Sequence, residues 1–210
     1  AGTNIVKITG IQKLKDIGYK VMQDRIEAGT LLCAGAITGG NICINYRTPE
    51  HITPILNKLE EAGCNIEVGK NKIYLHSPKK LKAVNIKTMP YPGFPTDMQS
   101  IFASTLTMAK GTSVIVENIF ENRYRYTAEL NKMGAKITTE GKTAVIKGVR
   151  KLSGATVKST DLRGGACMML AGLSAKGSTT VTNIEYILRG YENLDQKLNS
   201  LGAKITIQKD

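Results

Sequence analysis

The order of apolar and polar positions divides the chain into three similar segments. Each segment contains a helix that is apolar on nearly every side, a β-rich stretch, a second helix and a strand. The three apolar helices begin after Asp24, Asp97 and Asp161. A helix that is apolar all round is buried all round. The pattern therefore predicts a central bundle of three helices walled by sheets.

The second helix of each segment is apolar on one face only. In the first segment, Ile52, Ile55 and Leu59 follow the spacing of a single helical face. A glycine then stands where a helix end needs a positive φ: Gly63, Gly134 and Gly202. Nearly equal spacing of these glycines supports an internal repeat.

The predicted order in each repeat is βαβαββ, and the repeats cover residues 11–77, 78–148 and 149–210 of a single α/β domain. The third repeat ends on a predicted strand, residues 203–208, without the strand that closes the other two hairpins. A spare strand, residues 4–9, opens the chain instead. Either these two edges pair with each other, or both seek other partners, which allows a homodimer through unpaired strand edges.

Composition narrows the class of protein. The fractions of apolar and charged residues, 41% and 22%, are those of a soluble globular protein. No apolar stretch is long enough to span a bilayer, and we expect no signal peptide, no membrane partner and a cytoplasmic location. The cysteines Cys33, Cys43, Cys64 and Cys167 form no CxxC pair, so we expect buried free thiols, no metal and no cofactor.

The net charge of +12 raises the question of a nucleic-acid partner. The lysines are spread along the chain, however, and there are three Phe and no Trp to stack on bases. We therefore do not expect nucleic acid. An anionic small molecule suits the charge equally well, as does a solvated surface.

The three acids at the helix starts differ in their surroundings. Asp24 and Asp161 read as N-caps, a position that favours Asp. Asp97 instead follows residues 90–96, which contain three prolines and a glycine. Such a stretch forms a stiff loop. Asp97 is therefore a candidate base, held at a helix start.

Several arginines lie near the same predicted end of the helices. If the repeats pack with pseudo-threefold symmetry, the buried helices point their free N–H groups to one end and create an anion site. The arginines near that end are Arg25, Arg123, Arg163 and Arg189. Guanidinium groups suit carboxylate and phosphate. A ligand bearing one or both groups is expected.

Several motifs together resemble one family. Residues 92–99, PGFPTDMQ, and residues 117–123, ENIFENR, are similar to signatures of UDP-N-acetylglucosamine 1-carboxyvinyltransferases. Weaker similarities follow in the family's order: DRIE at residues 24–27, TDLR at residues 160–163 and RGYE at residues 189–192. The resemblance covers nearly the whole chain.

The resemblance implies a fold, a reaction and a site. The fold is an inside-out α/β barrel domain of three repeats, and the reaction moves enolpyruvate from phosphoenolpyruvate to the 3-hydroxyl of UDP-N-acetylglucosamine in peptidoglycan synthesis. Asp97 would act as base or proton relay on that hydroxyl. The resemblance also implies that Ile119 and Phe120 lie near the nucleotide sugar. It puts Arg163 and Arg189 on the phosphoenolpyruvate side, with Arg123 nearby.

The chain departs from the family in two respects. Tyr186 and Leu188 stand where the family has His and Asp, before Arg189. The family's N-terminal half, which carries the cysteine loop targeted by fosfomycin, has no counterpart here. We therefore expect half of a transferase, inactive alone and needing that half as partner. The alternatives are a shikimate-3-phosphate enolpyruvyl transferase, a nucleic-acid-binding module and a non-catalytic scaffold domain.

Overall fold

The computed structural model describes residues 5–208. Its helices are α1 Arg25–Thr38, α2 Thr53–Glu61, α3 Gln99–Leu106, α4 Thr127–Lys132, α5 Leu162–Ser174, α6 Glu185–Leu188 and α7 Leu194–Ser200. Its strands are β1 Asn41–Asn45, β2 Asn65–Gly69, β3 Lys72–His76, β4 Ile86–Lys87, β5 Thr112–Val116, β6 Lys136–Glu140, β7 Thr143–Lys147, β8 Leu152–Ser153, β9 Thr156–Lys158, β10 Ala175–Lys176 and β11 Thr180–Thr182. Short 3-10 helices precede α2, α3 and α4.

The three apolar helices, α1, α3 and α5, pack against one another at the centre, as expected. Their first turns lie at one end. A Cβ on Gly29, near the start of α1, would stand 2.8 Å from Cε of Met98, directly before α3. The Thr30 hydroxyl lies 2.9 Å from the Tyr191 hydroxyl, beyond α6. These contacts bring the start of α1 close to the start of α3 and to Tyr191 of the third repeat.

Within residues 5–208, the strands form four separate sheets. Strands β1, β3 and β2 form an antiparallel sheet in that order, and β4, β5, β7 and β6 form a second sheet in which β4 is parallel to β5. Two parallel pairs, β10 with β8 and β11 with β9, belong to the third repeat. The expected mixed α/β fold is confirmed. The expected inside-out barrel is not observed, because no sheet within residues 5–208 closes on itself.

The prediction of an opening strand at residues 4–9 is wrong for residues 5–9, which form no strand. Asn4 lies outside the described residues. The side chains of Val6 and Ile8 are 83% and 84% exposed, so no apolar burial holds this segment extended. The following linker differs from its counterparts too. Leu14 is exposed, whereas Leu81 and Leu152, at the same repeat position, are buried.

The predicted last strand, residues 203–208, is also not a strand. The Asn199 side chain donates to the carbonyl oxygen of Ile205 at 2.8 Å and accepts from its N–H at 2.8 Å. Asn131 bonds Ile137 in the same way at the start of β6. Strand β6 has β7 as its neighbour, whereas residues 203–208 have no neighbouring strand among residues 5–208. The lack of a neighbouring strand therefore explains why residues 203–208 form no strand, whereas β6 does.

Candidate functional site

Asp97 differs structurally from the two acids at equivalent positions. Asp24 caps α1 by accepting from the N–H groups of Ile26 and Glu27, and Asp161 caps α5 in the same way. Asp97 lies within the 3-10 helix Thr96–Met98 and caps nothing. Its side chain is 43% exposed and is available to solvent or a ligand. Both N-cap predictions are confirmed, and Asp97 is the one of these three acids that caps no helix.

The loop before Asp97 is anchored at several points. The Phe94 ring is buried and meets the Phe102 ring of α3 edge to face, with centroids 5.1 Å apart. The Met89 N–H donates to the Phe94 carbonyl at 2.9 Å, and the Gly93 N–H donates to the Pro90 carbonyl at 2.7 Å. These contacts hold the chain that leads to the carboxylate.

Two arginines hold the Asp97 carboxylate. Arg123 donates from Nη2 to Oδ1 at 2.8 Å, and Arg163 donates from Nη2 to Oδ2 at 3.1 Å. The side chains of Arg123 and Arg163 are only 9% and 11% exposed. The two guanidinium groups are thus nearly buried, whereas the carboxylate between them is partly exposed. Positive charge therefore lies beneath the exposed carboxylate.

Aromatic rings fix the orientation of both guanidinium groups. The Arg123 guanidinium carbon lies 4.9 Å from the Phe120 ring centroid, and that of Arg163 lies 5.2 Å from the Tyr191 centroid. Burial acts to lower the pKa of Arg163, but Tyr191 and Asp97 outweigh it and leave that pKa raised. Arg163 therefore remains a cation.

The loop after β5 borders the same site. Ile119 and Phe120 are neighbouring apolar residues, and they are 45% and 56% exposed. Glu117, 2% exposed, accepts from the N–H groups of both residues, at 2.8 Å and 3.0 Å. The loop therefore presents two apolar side chains to solvent next to Arg123.

Arg189 follows α6 and is exposed, with no hydrogen bond or ion pair from its guanidinium to residues 5–208. The residue after it, Gly190, packs on Leu162, the first residue of α5: a Cβ there would stand 2.5 Å from Leu162 Cδ1. Arg189 thus lies near the helix that carries Arg163, but not on Asp97. Tyr186 and Leu188, in α6, are 36% and 52% exposed.

Arg25 does not join this cluster. Its guanidinium carbon lies 5.2 Å from the ring centroid of Tyr91, in the loop before Asp97. Four arginines were expected at one rim. Arg123 and Arg163 contact Asp97, whereas Arg189 lies near α5 and Arg25 packs against the loop before Asp97.

Sequence reasoning gave no role to two residues of the site. Tyr191 is 2% exposed and joins Arg163 to α1 through Thr30. Glu117 organises the loop with Ile119 and Phe120. Both residues occur inside the motifs that resemble the family. Glu117 could have been noticed because it is an acid that directly follows an apolar strand.

The cysteines are free, and three are buried as expected: Cys33, Cys64 and Cys167. Cys43 is exposed, because it lies on the uncovered face of its sheet beside the exposed Tyr74 of β3, which corrects the expectation for that residue. Burial raises the pKa of Cys64 to about 11 and also raises the pKa values of Cys33 and Cys167. The buried thiols are therefore poor nucleophiles.

Within residues 5–208, no group of three or more His, Cys, Asp and Glu side chains could hold a metal ion. In the same residues, no helix combines the length and apolar character required to cross a membrane. The chemistry that the site offers is that of an exposed carboxylate, which can accept a proton, beside guanidinium groups, which can bind an anion.

Comparison with known proteins places this arrangement in a class. Residues 1–198 match the family model described as EPSP synthase (3-phosphoshikimate 1-carboxyvinyltransferase). Fold, site and family model together define the class as carboxyvinyl, or enolpyruvyl, transferases.

Curated relatives narrow the class further. The chain is 51% identical to the UDP-N-acetylglucosamine 1-carboxyvinyltransferase of Geotalea uraniireducens, over 98% of the chain and 49% of the relative. It is 49% identical to the enzyme of that name from Desulfofundulus thermocisternus, over 98% of the chain and 85% of the relative. The chain belongs to the UDP-N-acetylglucosamine 1-carboxyvinyltransferase family. It spans about half the length of the Geotalea relative.

Solved structures show the same fold. The enolpyruvyl transferase NikO from Streptomyces tendae matches with a TM-score of 0.78 and 28% identity, over 88% of this chain and 44% of that chain. EPSP synthase from Acinetobacter baumannii matches with a TM-score of 0.69 and 22% identity, over 90% and 44%. The second likeness concerns the fold alone.

Proposed function

We propose that this chain is the half of a UDP-N-acetylglucosamine enolpyruvyl transferase that holds the base and several anion-binding arginines, and that it is inactive alone. The observation that carries the proposal is the Asp97 carboxylate, exposed and held by two nearly buried arginines. The substrates in this proposal are phosphoenolpyruvate and the nucleotide sugar, and the pathway is peptidoglycan synthesis in the cytoplasm.

In the reaction, the 3-hydroxyl of the sugar loses a proton as its oxygen attacks the enolpyruvyl carbon, and phosphate leaves. Asp97 takes that proton directly or relays it. Arg123 and Arg163 orient Asp97 and place positive charge where carboxylate and phosphate charge must be stabilised. Arg189, whose guanidinium has no ion pair within residues 5–208, meets phosphoenolpyruvate together with Arg163.

The apolar loop binds the other substrate. Ile119 and Phe120 face solvent beside Arg123, so a bound sugar nucleotide would cover their exposed surface. The partner half supplies the opposite wall of the cleft. Its strands also complete the pseudo-threefold barrel, since residues 203–208 carry a strand pattern but form no strand.

The test supplies the missing half as a separate chain, taken from the part of the Geotalea uraniireducens relative that this chain does not cover. Phosphate release from phosphoenolpyruvate is measured with the nucleotide sugar present. We expect release from the complex, none from this chain alone, and a loss of at least about a hundredfold with Asp97→Asn.

The control variant is Asp24→Asn, because Asp24 holds the equivalent position in the first repeat and Asn caps a helix as well as Asp does. It should leave phosphate release unchanged. No release from a folded two-chain complex, or release that Asp97→Asn does not alter, would refute the proposal.

A further inference from the structure

Glu117 is a buried carboxylate to which the proposed reaction gives no task. It directly follows β5 and is 2% exposed. Four donors converge on it. Oε1 accepts from the Thr88 hydroxyl at 2.7 Å and from the N–H groups of Ile119 and Phe120 at 2.8 Å and 3.0 Å. Oε2 accepts from the Thr96 hydroxyl at 2.9 Å.

All four donors are neutral. No Lys, Arg or His side chain in residues 5–208 lies within ion-pair distance of Glu117. Removing a carboxylate from water without a counter-ion is strongly unfavourable, and charge-assisted hydrogen bonds must offset that cost. A buried acid without a counter-ion is less favourable than an apolar side chain of the same size. The hydrogen bonds of Glu117 therefore indicate which residues it organises.

These hydrogen bonds connect the two parts of the candidate site. Oε1 holds the N–H groups of Ile119 and Phe120, whose side chains stand exposed over the site. Oε2 holds Thr96, the residue before Asp97. The Thr96 carbonyl in turn accepts from Nη2 of Arg123 at 3.2 Å, the same nitrogen that donates to Asp97.

We infer that Glu117 is a positioning residue of the transferase site, which fixes the apolar loop through Oε1 and the Asp97 segment through Oε2. The inference rests on the proposed function. It assigns separate effects to the two oxygen atoms: loss of the Oε1 bonds weakens binding of the nucleotide sugar, and loss of the Oε2 bond slows the chemical step.

Three variants separate these effects. Glu117→Ala removes all four hydrogen bonds. Thr96→Val removes the Oε2 bond alone and keeps the side-chain shape. Glu117→Gln keeps an oxygen for the three Oε1 donors, and its nitrogen can donate to the Thr96 hydroxyl. The control is Glu140→Ala, which removes an exposed acid at the end of β6.

The variants are assayed in the two-chain complex. We expect Glu117→Ala to raise KM for the nucleotide sugar at least about tenfold, the loss that one charged hydrogen bond accounts for. Thr96→Val should lower kcat about tenfold with that KM unchanged. Glu117→Gln should stay within about threefold of the parent complex in both constants, and Glu140→Ala should change neither.

A second measurement needs no activity. Amide hydrogen exchange on this chain alone should show the Ile119 and Phe120 N–H groups exchanging at least about tenfold faster in Glu117→Ala. The Val145 N–H, in β7, should keep its rate. This measurement separates the proposed function from the proposed role of Glu117. An inactive parent complex refutes the function, and hydrogen exchange then tests whether Glu117 holds the loop.

Three results would overturn the inference. They are an unchanged KM in a folded Glu117→Ala complex, failure of Glu117→Gln to restore it, and unchanged exchange at Ile119 and Phe120. If Glu117→Ala does not fold, Thr96→Val decides, and an unchanged kcat there overturns the inference as well.

Discussion

Asp97 accepts a hydrogen bond from Arg163 at 3.1 Å although 66 positions separate them in the chain. Its other oxygen accepts from Arg123, 26 positions away. The carboxylate thus joins the second repeat to the third at the end of the bundle where the first turns of α1 and α3 meet. A substitution of Asp97 therefore removes hydrogen bonds from both repeats.

Replacement of Arg163 by Lys tests whether the shape of the guanidinium matters as well as its charge. A single ammonium group cannot donate to Asp97 and also lie flat on the Tyr191 ring. We expect Arg163→Lys to raise KM for phosphoenolpyruvate about tenfold in the two-chain complex, measured by phosphate release. Arg125→Lys, an exposed arginine in the 3-10 helix Arg123–Tyr126, is the control. Equal constants for Arg163→Lys and the parent would contradict this role.

The Tyr191 hydroxyl ties the third repeat to the first. It lies 2.9 Å from the Thr30 hydroxyl, and both residues are buried. Tyr191→Phe leaves the ring under Arg163 but removes this bond. The free energy of unfolding of the chain should fall by about 1 to 2 kcal/mol. Denaturant titration measures the change.

Two further variants make the Tyr191 result specific. Tyr74→Phe removes a partly exposed hydroxyl on β3 and should change stability by less than about 0.5 kcal/mol. In the double variant with Thr30→Val, the losses should not add, because both changes remove the same bond. Fully additive losses would show that the two hydroxyls do not interact.

The sequence predicts those features of the fold that depend on local pattern. The apolar helices, the glycine stops and the strand Lys72–His76 follow from periodicity and turn chemistry, which act within a few residues. The N-cap roles of Asp24 and Asp161 follow from the same local physics. Asp97 could be set apart because the preceding prolines and glycine make its surroundings unlike the other two.

The sequence does not predict features that depend on distant partners. Residues 203–208 alternate like β6, yet they form no strand, since a ladder needs a neighbour that the pattern does not contain. The pairing of Asp97 with two arginines joins separate repeats, and spacing along the chain does not encode it. The exposure of Cys43 depends on one face of the β1–β3–β2 sheet being left uncovered. Each is a property of packing rather than of local sequence.

The buried thiols predict a loss of stability in alkali. The pKa of Cys64 is raised by burial from 9.0 to about 11. The folded state therefore keeps its proton while the unfolded state loses it, and the unfolded state is favoured as pH rises. The stability that Cys64 contributes is complete below pH 9.0 and is lost as pH rises towards 11, a change of at most about 3 kcal/mol. Denaturant titrations from pH 8 to 11 measure it.

Variants assign this pH dependence to the thiol. Cys64→Ala should flatten the decline above pH 9.0, while Cys43→Ala, which removes an exposed thiol, should leave the decline as it is. Cys33 and Cys167, whose pKa values burial also raises, keep part of the decline in both variants. An identical decline with and without the Cys64 thiol would be incompatible with this explanation.

The close contact between α5 and α6 at Gly165 predicts strain on substitution. A Cβ there would meet Oγ of Ser159 and would stand 2.5 Å from Cγ1 of Ile187, and both neighbours are buried. Alanine gains up to about 1 kcal/mol over glycine within a helix, but overpacking costs about 1 to 3 kcal/mol. Gly165→Ala should therefore be destabilising, and it should push α6 and the adjacent Arg189 outward. Gly172→Ala in the same helix, with 3.2 Å to Thr179 Cβ, should stay within about 1 kcal/mol of the parent in a denaturant titration. A more stable Gly165→Ala chain would mean that α6 can move away at no cost, and that Gly165 does not hold Arg189 in place.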